Sequence, residues 1–239
     1  MKNLIIFGFF VMALVFVQFA QAQTVDEVID KYMAALGGKD KLLSLTSVYM
    51  EGVSVRQGNE INHKVYKVQD KLYRTDVDFG MGKFIIIATP DKGWQSNFRN
   101  GGALEPMTAE VLKGFSTEMD CQGPLVNYAA KGHKAELAGK EAVDSIDCFK
   151  IKLTSKTGKE IYYWIDAKTY LIHQSSQKVK GRGDTDIDLV TVYSDYKAVD
   201  GIQFAFTATA KGGAMGGGSI NYEKIETNKP VDEKLYKPE

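Results

Sequence analysis

Apolar residues recur at every second position along most of this chain, and in two stretches the period lengthens to three or four. The first such stretch places Val25, Val28, Ile29, Tyr32, Met33 and Leu36 on one stripe, which predicts a helix. Thr24-Val25-Asp26-Glu27 supplies its capping box and Gly37-Gly38 its end. A second short helix is expected over Lys39–Leu45. Alternation then predicts strands at Ser47–Arg56, Glu60–Gln69, Lys71–Phe79, Lys83–Thr89 and Lys92–Phe98. Gly58-Asn59, Gly80-Met81-Gly82 and Pro90-Asp91 carry the turn chemistry between them.

The second stretch, Met107–Lys131, reads as a helical insert in two or three pieces, broken at Gly114 and Gly123-Pro124. Strands resume at His133–Val143, Cys148–Thr154, Glu160–Asp166, Tyr170–Lys180, Asp186–Lys197, Ile202–Ala210 and Ser219–Thr227. About a dozen strands with no parallel crossover are too many for a flat sheet. The expected architecture is mainly β with helices (α+β): a strongly curved antiparallel sheet whose open side the helices cover.

The N-terminus changes the cellular picture. Lys2, the apolar run Leu4–Val17 and Ala20-Gln21-Ala22 read as a secretory signal peptide cleaved after Ala22. Residues 1–22 are then the leader and 23–239 a single domain, periplasmic or secreted. Thirty basic residues balance thirty acidic ones with no basic run, which argues against a nucleic-acid partner. In an oxidising compartment Cys121 and Cys148 are candidates for a disulfide, the alternative being two separately buried thiols.

Catalytic chemistry is not visible at this level. His63, His133 and His173 are widely spaced and form no zinc signature. Asp184, Asp186 and Asp188 start like a calcium loop, but Leu189 and Asp195 stand where Gly and Glu are needed. Arg182-Gly183-Asp184 reads as a turn, and Gly212–Gly218 as a hairpin tip lacking the Lys of a phosphate loop. No cofactor and no metal are expected. What stands out is apolar. Phe84 and Ile86 share one face of a strand that is apolar on both faces, which predicts cover on both sides. Trp94 pairs with Phe98, Tyr163 with Ile165, and Phe204 with Phe206 at strand spacing. Met107, Val111, Phe115 and Met119 give the insert a soft inner surface. These twelve residues are the candidate lining of an apolar cavity; a filled core would use the same residue types.

Three stretches resemble a known family. Ala34-Ala35-Leu36-Gly37-Gly38-Lys39-Asp40-Lys41-Leu42, Tyr162–Ile172 with its Ile-Asp turn, and Tyr196–Phe204 are similar, in order and spacing, to motifs of the lipoprotein-carrier superfamily. That superfamily holds the LolA and LolB carriers and the RseB sensor. The resemblance implies a half-barrel of about eleven strands around an apolar cavity. It implies a non-catalytic carrier of acyl chains or lipoprotein lipid, or else a sensor that binds an envelope protein. Where the carriers have an Arg-Pro pair, this chain has Val68-Gln69-Asp70.

Overall fold

The computed structural model describes residues 23–180, 185–211 and 217–238. The expected leader, the Arg182-Gly183-Asp184 turn and most of the Gly212–Gly218 tip lie outside the described residues. Helix α1 (Val25–Leu36) starts at Thr24, whose hydroxyl accepts from the Glu27 N–H while the Glu27 carboxylate accepts from the Thr24 N–H. It buries Val28, Ile29, Tyr32, Met33 and Leu36 and ends at Gly37, whose φ is +123°. Any side chain at Gly37 would collide with the Gly201 carbonyl, so the helix end approaches the sheet through a glycine. Helix α2 (Lys39–Leu43) follows and buries Leu42.

Strands β1 (Ser47–Arg56), β2 (Asn59–Val68), β3 (Leu72–Asp78), β4 (Lys83–Ala88), β5 (Gly93–Asn97) and β6 (Ala103–Pro106) form one antiparallel meander. After the insert come β7 (Lys134–Val143), β8 (Ile146–Thr154), β9 (Glu160–Asp166), β10 (Ile172–Lys180), β11 (Asp186–Val199), β12 (Ile202–Lys211) and β13 (Gly218–Thr227). They make a single 13-stranded sheet in the order β6-β5-β4-β3-β2-β1-β13-β12-β11-β10-β9-β8-β7. The sheet is not closed, and β6 and β7 are its edges. The alternation missed only β6, a four-residue strand that follows a glycine pair and ends on Pro106, and the sheet has thirteen strands where the resemblance implies about eleven.

The insert carries the chain from one edge of this sheet to the other. It is much less helical than its spacing suggests: only α3 (Ala109–Lys113) is α-helix, and the remainder to Gly132 is turns. Gly114 and Gly123-Pro124 stop each helical piece before it can propagate.

Curvature follows from one carboxylate. Glu118 in the insert lies 3.6 Å from Lys67 Nζ on β2 and 3.7 Å from Lys159 Nζ, just before β9. These strands are six places apart in the sheet, which would be about 29 Å if it were flat. Two lysine side chains and one glutamate cannot bridge that span, so the sheet folds its wings toward each other.

Cross-strand partners share a face. Val48 packs in the α1 core, so Lys67, Tyr73, Ala88 and Gly93 in the same register row also face inward. The α1 stripe, Leu125 and Val126 of the insert, and Phe149, Ile151, Leu153, Ile161 and Ile165 form the inner core. On the outer face the C-terminal segment crosses β1–β4. Ser47 Oγ donates to Lys229 O at 2.7 Å, and Arg74 Nη1 to Leu235 O at 3.3 Å. Ile87 is fully buried there. The outer side of β4 is therefore covered, whereas Phe84 and Ile86 on its inner side stay half-buried, short of the two-sided cover its composition predicts.

Candidate functional site

The inner surface of β3–β5 is apolar and incompletely covered. Phe84 and Ile86 point inward from β4 and are half-buried. Phe98, in a short 3-10 helix after β5, stacks on Phe84 with ring centroids 5.5 Å apart and meets Phe79 edge-on at 6.2 Å, yet is 58% exposed. The insert supplies the opposite wall. Met107 and Leu112 pack over Gly93, where even a Cβ would sit 2.7 Å from Met107 Sδ. Phe115 stacks on Tyr73 at 5.7 Å, and Val111 is left 40% exposed. Six sequence candidates (Phe84, Ile86, Phe98, Met107, Val111 and Phe115) thus gather along one wing.

The other six are placed elsewhere. Trp94 pairs with Ile87 and so lies on the outer side of β5. Tyr163 and Ile165 belong to the filled core beneath α1, with Phe204 and Phe206 partly buried against it. Met119 is buried and borders a pocket of about 490 Å³. Ser116, Asp120, Ala130 and Lys131 of the insert, with Asp70, Pro90, His133 and Lys156, also line this pocket, so its walls are largely polar.

Polar groups that spacing could not reveal hold the insert in place. The Gln69 carbonyl accepts from Cys121 N–H at 3.0 Å, the Cys121 thiol at 3.3 Å and Gln122 N–H at 3.3 Å. This glutamine occupies the region where the carriers have Arg-Pro. Asp120, almost fully buried, pairs with Lys131 at 2.7 Å. Burial pushes the Glu118 carboxyl up, but Lys67 and Lys159 outweigh it and hold the group below its ordinary value. Tyr73, Tyr163 and Tyr193 are buried tyrosines that sense this carboxylate. Burial is the largest cause holding their phenols above the ordinary value, and Glu118 adds to it. All three remain neutral hydrogen-bond donors at physiological pH.

The two cysteines are free, which corrects the disulfide expectation. Cys121 joins the inner core and bonds to Gln69, whereas Cys148 alternates with the core residues Phe149 and Ile151 and faces the other side of β8. Burial pushes each thiol up to about 11. One side-chain pair does resemble a nucleophile and base: Ser54 Oγ and His63 Nε2 lie 2.7 Å apart on the inner face. No carboxylate among the described residues orients His63 Nδ1, and these strands use their backbone N–H groups in the ladder. Among the described residues no cluster of three acidic, Cys or His side chains could hold a metal. Likewise no described helix is long and apolar enough to cross a membrane.

No family model and no curated protein matches the sequence. Solved structures do match its shape. A DUF1329 family protein from Desulfovibrio piger superposes with a TM-score of 0.55 at 16% identity, over 90% of this chain and 98% of that one. A LolA superfamily protein from Nitrosomonas europaea gives a TM-score of 0.55 at 11% identity, over 91% and 99%. The chain has the LolA-like fold. A putative outer membrane lipoprotein-sorting protein domain from Vibrio parahaemolyticus is also similar, with a TM-score of 0.52 at 12% identity, over 88% and 94%. In this LolA-like fold the insert joins the two edges of the thirteen-stranded sheet and leaves the apolar wing half covered.

Proposed function

We propose that this protein is an exported, non-catalytic binder or carrier of an acyl chain or a lipoprotein lipid, held between the sheet and the insert. The observation that carries the reading is the Phe84–Phe98 stack on the apolar wing. These two large rings are stacked together yet partly open to solvent, and Val111 of the insert is left exposed as well. Binding there needs no covalent step, since each buried methylene contributes about 0.8 kcal/mol. A similarly folded structure described as a lipoprotein-sorting domain supports the same class of cargo. Movement of the short insert would admit and release the chain.

A partner-binding scaffold is the second reading, but the free edges are poorly suited to strand addition. β6 is four residues long, and β7 is interrupted at Gly139 and carries Lys134, Glu136, Lys140 and Glu141. The test is native mass spectrometry on protein purified without denaturant, with lipid extraction alongside. Co-purified lipid, and displacement of an acyl fluorophore that Phe98→Ser and Val111→Ser weaken, are expected. A stoichiometric protein partner with no lipid would favour the scaffold. Ester turnover abolished by Ser54→Ala would overturn both readings in favour of an enzyme.

A further inference from the structure

The apolar wing ends at a cationic site. Along the inner face the register rows run from Lys67–Tyr73, through Val65–Thr75–Ile86, to His63–Val77–Phe84. The first and last rows are four residues apart, about 14 Å along the strands. One end is therefore greasy and the other charged.

At the charged end two ammonium groups meet one carboxylate. Lys67 and Lys159 keep only 24% and 19% of their side-chain surface exposed, and both contacts to Glu118, at 3.6 and 3.7 Å, are longer than a good charged hydrogen bond. Lys159 also donates to Gly114 O at 3.1 Å and Thr117 Oγ1 at 3.4 Å, neutral acceptors that leave its charge uncompensated. Asp120 adds no compensating charge, because Lys131 already neutralises it. One positive charge is left over in a half-buried site, where Coulomb attraction is stronger than in water. Tyr73 borders the same site, because Lys67 Nζ lies over its ring at 5.6 Å from the centroid. Its hydroxyl can donate to a second anion.

Resting on the carrier reading, we propose that the preferred ligand is a single-chain amphiphile with an anionic head, carboxylate or phosphate. The head sits against Lys67, Lys159 and the Tyr73 hydroxyl, and the tail runs over Val65, Ile86 and Phe84 toward Phe98. Glu118 competes for the same two ammonium groups and so tunes affinity.

The experiment is displacement of a polarity-sensitive fluorophore from the full chain by palmitate and by hexadecanol, below their aggregation limits. A parallel arm compares lysophosphatidate with lysophosphatidylcholine and separates a phosphate head from a carboxylate one. At least one anion is expected to bind about tenfold tighter than its uncharged or zwitterionic counterpart, a difference of about 1.4 kcal/mol. The double variant Lys67→Gln/Lys159→Gln should lose that preference while keeping hexadecanol affinity. Glu118→Gln, which leaves both lysines in place, should tighten anion binding severalfold. Equal binding of charged and uncharged ligands, or a preference that survives in the double variant, overturns the head-group assignment and leaves the carrier reading standing. Failure of every amphiphile to bind removes the carrier reading itself.

Discussion

The side-chain carbonyl of Gln69 accepts two hydrogen bonds from Cys121, from its backbone N–H at 3.0 Å and from its thiol at 3.3 Å. The first residue ends the β2 side of a hairpin; the second lies in the middle of the insert. Gln69→Leu would leave the Cys121 N–H buried without an acceptor, at a cost of about 1–3 kcal/mol. The expected outcome is a lower midpoint in urea unfolding. Hydrogen exchange should also rise at residues 119–123, with α1 unaffected.

Both thiols are buried and have their pKa raised, so almost no thiolate exists at neutral pH. The folded protein should react slowly with a disulfide reagent, and two thiols should titrate at once in denaturant. A mass two units below that of the reduced chain would show an S–S bond and contradict the separate placement of Cys121 and Cys148.

Acid should loosen the exit of the insert. His133 Nδ1 accepts from the Lys156 backbone N–H at 3.0 Å, an arrangement open only to a neutral ring acceptor. Burial, the largest cause, holds the His133 pKa below its ordinary 6.5, with Lys131 and Lys156 lowering it and Asp120 opposing. The unfolded chain therefore takes up the proton first. This stability is present above about pH 6.5 and is lost as pH falls toward the depressed value. Melting temperature measured from pH 7.5 down to 5.5 should fall in the wild type, and less steeply in His133→Asn.

Arg74 anchors the C-terminal segment. Its guanidinium holds Asp76 in a bidentate pair at 2.8 and 3.1 Å and donates to Leu235 O. With Arg74 only 6% exposed, Arg74→Ala strands Asp76 and frees the strap, so a loss of about 3 kcal/mol is expected. Chemical denaturation measures it, and new tryptic cleavage after Lys234 would accompany it. An unchanged midpoint would contradict the strap role.

Much of this architecture could be read from local chemistry. The capping box at Thr24, the glycine stop at Gly37 and the hairpin turns each act over a few residues, so the sequence states them directly. The insert misled because apolar residues at helical spacing, such as Phe115 and Met119, satisfy packing from turns as well as from helix. Half of the cavity candidates share a surface and half do not. Strand spacing puts Trp94 and Phe98 on one face, but the strand ends at Asn97, so Phe98 swings onto the inner-face Phe84 while Trp94 stays on the outer side. The roles of Gln69, Glu118 and Arg74 depend on partners remote in sequence, which no single-chain pattern encodes.

The pairing of β1 with β13 joins, at Val48 and Thr227, residues from nearly opposite ends of the described chain. Each half of the sheet is a run of neighbouring hairpins that can assemble early, but the seam between the halves waits for the last strand. Such a seam makes the loop-closure entropy the late and slow part of folding. Until it closes, β1 and β12 are raw borders open to other chains. Shortening the protein by its final strand would therefore do more than trim an end: it would divide one sheet into two sticky fragments.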